Sequence, residues 1–256
     1  MATVRKAAPG RGVADVPPER LAELNAGRAA ITTLTEGLAM DFAVLLKAVV
    51  PAADSAAMQA AAGEGVTRRM ALGGMLLRQA GADLAALSAH PSDTVRGWVC
   101  YALAQEHGTD LPALLAALRP LADDPHFGVR EWVWLAARPA LLTDLPQAIT
   151  LLTPWTAERS EWLRRFASEA LRPRGVWCAH APALRAEPAL GLPLLEPLRA
   201  DPARYVQDSV ANWLNDAAKD QPDWVTALCA RWLAESPVPA TQYICKRAQR
   251  SLKAAP

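Results

Sequence analysis

A chain of 256 residues with 27 Lys and Arg against 26 Asp and Glu is 52% hydrophobic and close to neutral. No apolar run reaches the roughly 18 residues needed to span a bilayer, and residues 1–17 lack the apolar core of a secretion signal. The charge balance excludes a generally basic surface, so any polyanion must be met by one face rather than by the whole molecule.

The first residues, MATVRKAAPGRG, are basic and carry Pro and Gly, so 1–17 read as a flexible basic tail ahead of a single repeat domain over 18–256. Ala and Leu dominate the apolar set and β-branched residues are few, which favours helix over strand. Pro18–Arg28 and Thr32–Val50 read as the first two helices, with Asp41 and Pro51 fitting caps and stops. After Val66 a pattern sets in: a Leu/Ala helix, a polar turn, then a second helix opening on an aliphatic residue. The second helices open DTVRGWVCYAL at Asp93, FGVREWVWLAA at Phe127, EWLRRFASEAL at Glu161, RYVQDSVANWL at Arg204 and QYICKRAQRSL at Gln242. Aligning Val95, Val129, Leu163, Val206 and Ile244 gives steps of 34, 34, 43 and 38 residues. The first helices of these pairs are Leu111–Leu121, Leu145–Leu152, Leu190–Arg199 and Asp223–Ala234. The drifting period suits HEAT-like units better than stricter helical repeats. The expected fold is all-α, a right-handed superhelical solenoid of HEAT-like helical pairs.

In such a stack, function belongs on the polar stripes of the second helices. Arg165, Glu169 and Arg172 stand at i, i+4, i+7, and Arg130, Trp134 and Arg138 at i, i+4, i+8. Asp208, Asn212, Asn215 and Asp216 form a third stripe. Taken alone, Arg165–Glu169 could equally be an ordinary helix ion pair. Of nine Trp, Trp98, Trp132, Trp155, Trp224 and Trp232 read as packing residues between repeats. Cys100, Cys178, Cys229 and Cys245 show no CxxC or CxxH spacing, and His90, His107, His126 and His180 share no ligand spacing. No metal or cofactor is expected, and the thiols fit a reducing, cytoplasmic compartment.

The stretch RRFASEALRPRGVW, Arg164–Trp177, is similar to the R-x3-E-x2-RPR-x2-W segment of the AlkC branch of the AlkC/AlkD alkylpurine DNA glycosylases. The segment Arg199–Val225 resembles that branch's next signature, DP-x3-V followed by SVAN-x-LND, a Lys and PDW. The resemblance implies hydrolysis of the N-glycosidic bond of N3- or N7-methylpurines in duplex DNA, by a monomer that grips the backbone and leaves the lesion stacked. It places the family's catalytic Arg, Glu, Trp and Asp on Arg165, Glu169, Trp177 and Asp216. One departure stands out: where the family has a second Glu four residues before Arg-Pro, this chain has Trp134 ahead of Arg138–Pro139.

The residue types suit the chemistry. A base methylated at N3 or N7 is cationic and leaves readily, so the enzyme's task is to stabilise a cationic sugar and to place water. A carboxylate supplies opposite charge, and an indole face adds roughly 0.5–2 kcal/mol of cation–π attraction. Arg68, Arg69, Arg96, Arg130, Arg164, Lys246, Arg247 and Arg250 recur at comparable helix positions and are expected to hold phosphates, giving salt-sensitive, sequence-independent affinity. Trp134, Arg138, Arg172 and Arg174 join the DNA-facing set, with the Trp134 indole expected to cover a deoxyribose or the backbone of a bent duplex. Two other readings compete: a damaged-DNA-binding relative with weak or no catalysis, favoured by Trp134, and a protein–protein scaffold.

Overall fold

The structure, a computed structural model, describes residues 12–108 and 110–252. Of the tail expected over 1–17, residues 1–11 lie outside the described residues, and Val13–Asp15 form one 3-10 turn. All regular structure among the described residues is helical, with no strand. None of these helices is long and apolar enough to cross a membrane. The chain divides into two compact units, the first ending at Ala102 and the second beginning at Leu103.

The first unit holds α1 (Pro18–Asn25), α2 (Leu34–Ala39), α3 (Phe42–Val49), α4 (Ser55–Ala60), α5 (Val66–Gln79), α6 (Leu84–Leu87) and the start of α7 (Asp93–His107). The single helix expected over Thr32–Val50 is two helices. Met40 is extended, and Asp41 caps α3 by accepting the backbone N–H groups of Ala43 and Val44. Such a cap stabilises a helix start by about 1 kcal/mol, enough to favour a new helix over continuation. Leu24, Leu45, Leu46, Met70, Leu77, Val95 and Trp98 are buried here. Gly73 and Gly74 let α5 lie against the start of α7: a Cβ at Gly74 would come within 2.6 Å of the Ala102 backbone nitrogen and 2.8 Å of the Tyr101 carbonyl carbon. Because backbone cannot step aside as a side chain can, Gly74→Ala is expected to cost about 1–3 kcal/mol. An unchanged thermal melt would contradict that close approach.

The second unit continues with α8 (Leu111–Ala122), α9 (Phe127–Leu141), α10 (Leu145–Leu152), α11 (Glu161–Glu169), α12 (Pro182–Ala186), α13 (Leu192–Leu195), α14 (Arg204–Ala217), α15 (Pro222–Glu235) and α16 (Pro239–Ala248). The second helices α9, α11 and α14 begin where the sequence places them. α16 starts three residues earlier, at Pro239. The helix expected over Leu190–Arg199 shrinks to α13 after a 3-10 turn at Pro188–Gly191. Pro193 is tolerated in the first turn of α13, but Pro197 removes a hydrogen bond and crowds the preceding turn, so the helix does not run on to Arg199. α11 stops at Glu169 for the same reason, because the Pro173 ring would meet the Glu169 carbonyl. α14 packs between α11 and α16.

A device within the repeats ties the second helices α7, α9, α11 and α14 to the turns before them. A side chain near the helix start reaches back six residues to a backbone carbonyl: Arg130 Nη1 to Asp124 at 2.7 Å, Arg164 Nη1 to Glu158 at 2.9 Å, and Gln207 Nε2 to Asp201 at 2.8 Å. In the first unit Arg96 Nη1 donates to the His90 carbonyl in the same way. Charged donors make the stronger hydrogen bonds, worth about 1.5–3 kcal/mol each.

Candidate active site

The second helices of the second unit present their polar stripes to one cavity of about 330 Å³. α9 contributes Glu131 and Trp134, α11 contributes Arg165 and Glu169, and the segment after α11 contributes Arg172 and Val176. α14 adds Tyr205, Asp208, Ser209 and Asn212, and α16 adds Arg247.

Its floor is a chain of alternating charges. Glu169, 3% exposed, accepts from Arg172 Nη1 at 2.7 Å and from Ser209 Oγ at 2.6 Å, with Arg165 Nη2 at 3.6 Å. Burial opposes ionisation of Glu169, but the guanidinium groups of Arg165 and Arg172 and the Ser209 hydroxyl reverse that and hold its carboxyl below the usual range. Arg172 in turn gives Nε and Nη2 to Asp216 Oδ2, at 2.9 and 2.7 Å. Burial works against the Arg172 charge, yet Glu169 and Asp216 outweigh it and raise the guanidinium further above its usual value. At the other end Arg165 Nη2 lies 2.6 Å from Glu131 Oε1, and its guanidinium stacks 4.7 Å over the Tyr205 ring. Glu131 Oε2 accepts the indole N–H of Trp134 at 2.9 Å.

Beside the cavity, the segment from Ala170 to Ala181 is fixed by three cations. Arg138 donates to the carbonyls of Ala170, Arg172 and Ala179 at 2.9, 2.7 and 3.1 Å. Arg174 and Arg185 both make paired bonds to Asp220, whose carboxyl the two guanidinium groups hold well below the usual range. The Ala181 N–H closes the loop on the Pro173 carbonyl at 2.9 Å. At its apex Trp177 adopts a left-handed backbone, φ 61°, a conformation that costs a non-glycine residue roughly 1–2 kcal/mol. Its indole is 47% exposed, next to the exposed Val176.

Arg165, Glu169, Arg172, Trp134 and Arg247 are thus brought to one cavity, with Asp216 behind Arg172 and Trp177 on the adjoining loop. Two expectations are corrected. Arg138, expected at DNA, is 1% exposed and committed to three carbonyls. Trp134, expected to cover a deoxyribose, is 3% exposed and directs its N–H at Glu131. Arg96, Arg130 and Arg164, expected at phosphates, hold the six-residue ties. Arg130 also stacks on Trp162 and Tyr205, and Arg164 pairs with Asp201 at 2.6 Å. Arg174 is held by Asp220. Arg250 donates to Asn212 at 2.9 Å, Arg247 lies 3.3 Å from Asp208, and Lys246 is exposed. In the first unit Arg68 pairs with Glu64 at 2.7 Å, and Arg69 stacks 4.7 Å over Phe42. Among the described residues no cluster of His, Cys, Asp and Glu is arranged to hold a metal ion.

Glu131, Tyr205 and Ser209 line the cavity although the sequence did not single them out, whereas Asp208 and Asn212 come from the third polar stripe. The available signal for Glu131 was its place three residues before Trp134, on the same face of one helix.

Residues 83–172 match the family described as HEAT repeats, and residues 131–243 match the family described as DNA alkylation repair enzyme. Over 98 residues the chain is 41% identical to the uncharacterized protein YhaZ of Bacillus subtilis (strain 168), covering 38% of this chain and 27% of that protein. The structure of Pseudomonas fluorescens alkylpurine DNA glycosylase AlkC, bound to DNA containing an abasic site analogue, is similar with a TM-score of 0.68 and 27% identity, over 96% of this chain and 66% of that one. AlkD2 from Streptococcus mutans shares the fold, with a TM-score of 0.59 and 19% identity over 73% of this chain and 90% of that one. The chain spans about a quarter of the Bacillus protein and slightly under two thirds of AlkC. Residues 131–243, which hold most of the cavity, are thus similar to the DNA alkylation repair enzyme family, in a chain whose residues 83–172 match HEAT repeats and whose fold is similar to that of AlkC.

Proposed function

We propose that this protein is a DNA glycosylase that hydrolyses the N-glycosidic bond of cationic N3- and N7-methylpurines in duplex DNA while the lesion stays in the stack. The carrying observation is the cavity that sets the carboxylates of Glu131 and Glu169 against Arg165 and Arg172, beside an exposed Trp177. A cationic purine needs no strong acid to leave, whereas the sugar it leaves behind gains positive charge. Fixed carboxylates are complementary to that charge, and act most strongly where it develops. Trp177 offers an open indole face to the same cation. A stacked lesion fits the lining. Tyr205 is already covered by Arg130 and Arg165, and Trp134 is buried, so neither aromatic offers a free face for an extruded base.

Pure protein is expected to release methylated purines from alkylated duplex DNA. Glu169→Gln and Asp216→Asn are expected to slow release by about 10²–10³ while changing affinity for duplex DNA far less. No release by the native protein would overturn the enzyme in favour of a binding-only relative. Equal losses in affinity and rate would make both carboxylates structural partners of the arginines.

A further inference from the structure

The acids around the cavity are not equally available. Glu169 is closed in by Arg172, Ser209 and Arg165, and Asp216 by Arg172 and Lys219. Groups held in this way set the local potential: both carboxylates are buried, and three donors already face each of them. Glu131 differs. Its side chain is 38% exposed at the cavity, with one oxygen on Arg165 and the other on the Trp134 N–H. A carboxylate has about four acceptor directions, so two stay open. Asp208 also lines the cavity, but the Tyr243 hydroxyl and Arg247 share its Oδ1, and Arg247 is itself exposed. It has no bond to the Arg165–Glu169 pair among those described.

The two donors on Glu131 are what a positioned base needs. Trp134 is buried, cannot ionise and stands three residues along the same helix, so its N–H fixes one oxygen without competing for a proton. Arg165 is buried too, and it spans Glu131 and Glu169 through one nitrogen, at 2.6 and 3.6 Å. A base held on two sides by immobile donors keeps its remaining lone pairs aimed, which is where most of the gain from orientation lies.

We infer that Glu131 is the carboxylate that meets the reacting sugar and takes the proton of the attacking water, with Trp134 and Arg165 as its positioning residues. This rests on the glycosylase reading above. As the C1′–N bond breaks, its electron pair passes to the cationic purine, which leaves neutral. The water oxygen bonds to C1′, and the water's proton passes to Glu131, leaving a neutral carboxyl until solvent removes it. Trp134 thus serves the chemistry from inside the helix packing, as the donor that holds the acid.

The experiment is single-turnover release of methylpurine from alkylated duplex DNA, run beside affinity for duplex carrying an abasic-site analogue. Glu131→Gln is expected to slow release by about 10²–10³, with affinity changed by less than about threefold. Glu131→Ala, slow by itself, is expected to regain part of the rate on adding formate, which a merely structural ion pair would not show. Trp134→Phe keeps the ring, loses the donor and is expected to slow release by roughly 10–100-fold, the loss of one charge-assisted hydrogen bond. Native protein that releases base while Glu131→Gln does so at the same rate overturns this assignment and leaves the glycosylase standing. So does a rate that falls with Asp208→Asn but not with Glu131→Gln. Absence of release by the native protein overturns both.

Discussion

Arg172→Met is expected to destabilise the protein by about 3–5 kcal/mol, the usual cost of leaving a buried charge without its partner. Arg172 is the shared counter-charge of Glu169 and Asp216, both buried, and its three donor atoms are all in use. Without it Asp216 keeps only Lys219 at 3.5 Å, and Glu169 keeps Ser209 and the more distant Arg165. For a unit of this size such a loss lowers the melting temperature by roughly 10 °C. The pH dependence carries a sign that a packing defect would lack. In the native protein the Glu169 carboxyl lies below its unfolded value. Its stabilisation is therefore present above about pH 4.3 and is lost as pH falls through the folded pKa. With Arg172 gone, Glu169 loses two of the interactions that lower its carboxyl, while burial, the largest influence, still raises it. Protonation then relieves the variant, so the stability gap should be smaller at about pH 5 than at about pH 7.5. Urea melts at the two values measure it, and a gap independent of pH would show that lost packing rather than stranded charge is responsible.

Arg138→Met is expected to cost a similar amount by another route. Three backbone carbonyls lose their donor together, and a buried acceptor left unsatisfied costs about 1–3 kcal/mol. Those carbonyls belong to Ala170, Arg172 and Ala179, so the segment bearing Arg172 and Trp177 loosens as well. Amide hydrogen exchange over residues 170–181 is expected to accelerate and methylpurine release to fall with it. Arg138→Lys should recover little, because one ammonium on a flexible stem cannot serve three carbonyls that a planar fork reaches at once. If Arg138→Lys instead melts like the native protein and only weakens DNA binding, the arginine serves DNA after all.

Helix starts were the most legible feature. Phe127, Glu161 and Arg204 each follow a polar turn, and the aliphatic residue two places on recurs with the repeat. Helix ends were less so: Pro173 follows the end of α11, whereas Pro139 is accommodated inside α9. Arg165, Glu169 and Asp216 were singled out by their motif, and the structure joins Glu169 and Asp216 through Arg172, with Arg165 lying 3.6 Å from Glu169. Glu131 was not, because the resemblance points to position 134, where this chain carries Trp in place of a carboxylate. An indole on a polar stripe reads as a surface residue, yet its ring is buried and only its N–H faces an acid. The carbonyl ties of Arg96, Arg130 and Arg164 were hidden for a related reason. A guanidinium within reach of a carbonyl six residues back and one facing solvent look alike until the turn between them is built.

Those six-residue ties also bear on the order in which the second unit takes shape during synthesis. Each tie joins groups that leave the ribosome within about a second of one another, so a repeat turn can close before the next is made, as local contacts favour. The cavity has no such independence, since its walls run from Glu131 on α9 to Arg247 on α16. A nascent chain halted before α14 would carry well-formed turns, but Glu169 would lack Ser209, and Arg172 would lack Asp216. Structure in this unit accrues repeat by repeat, whereas the competence of its site arrives only with the last helix.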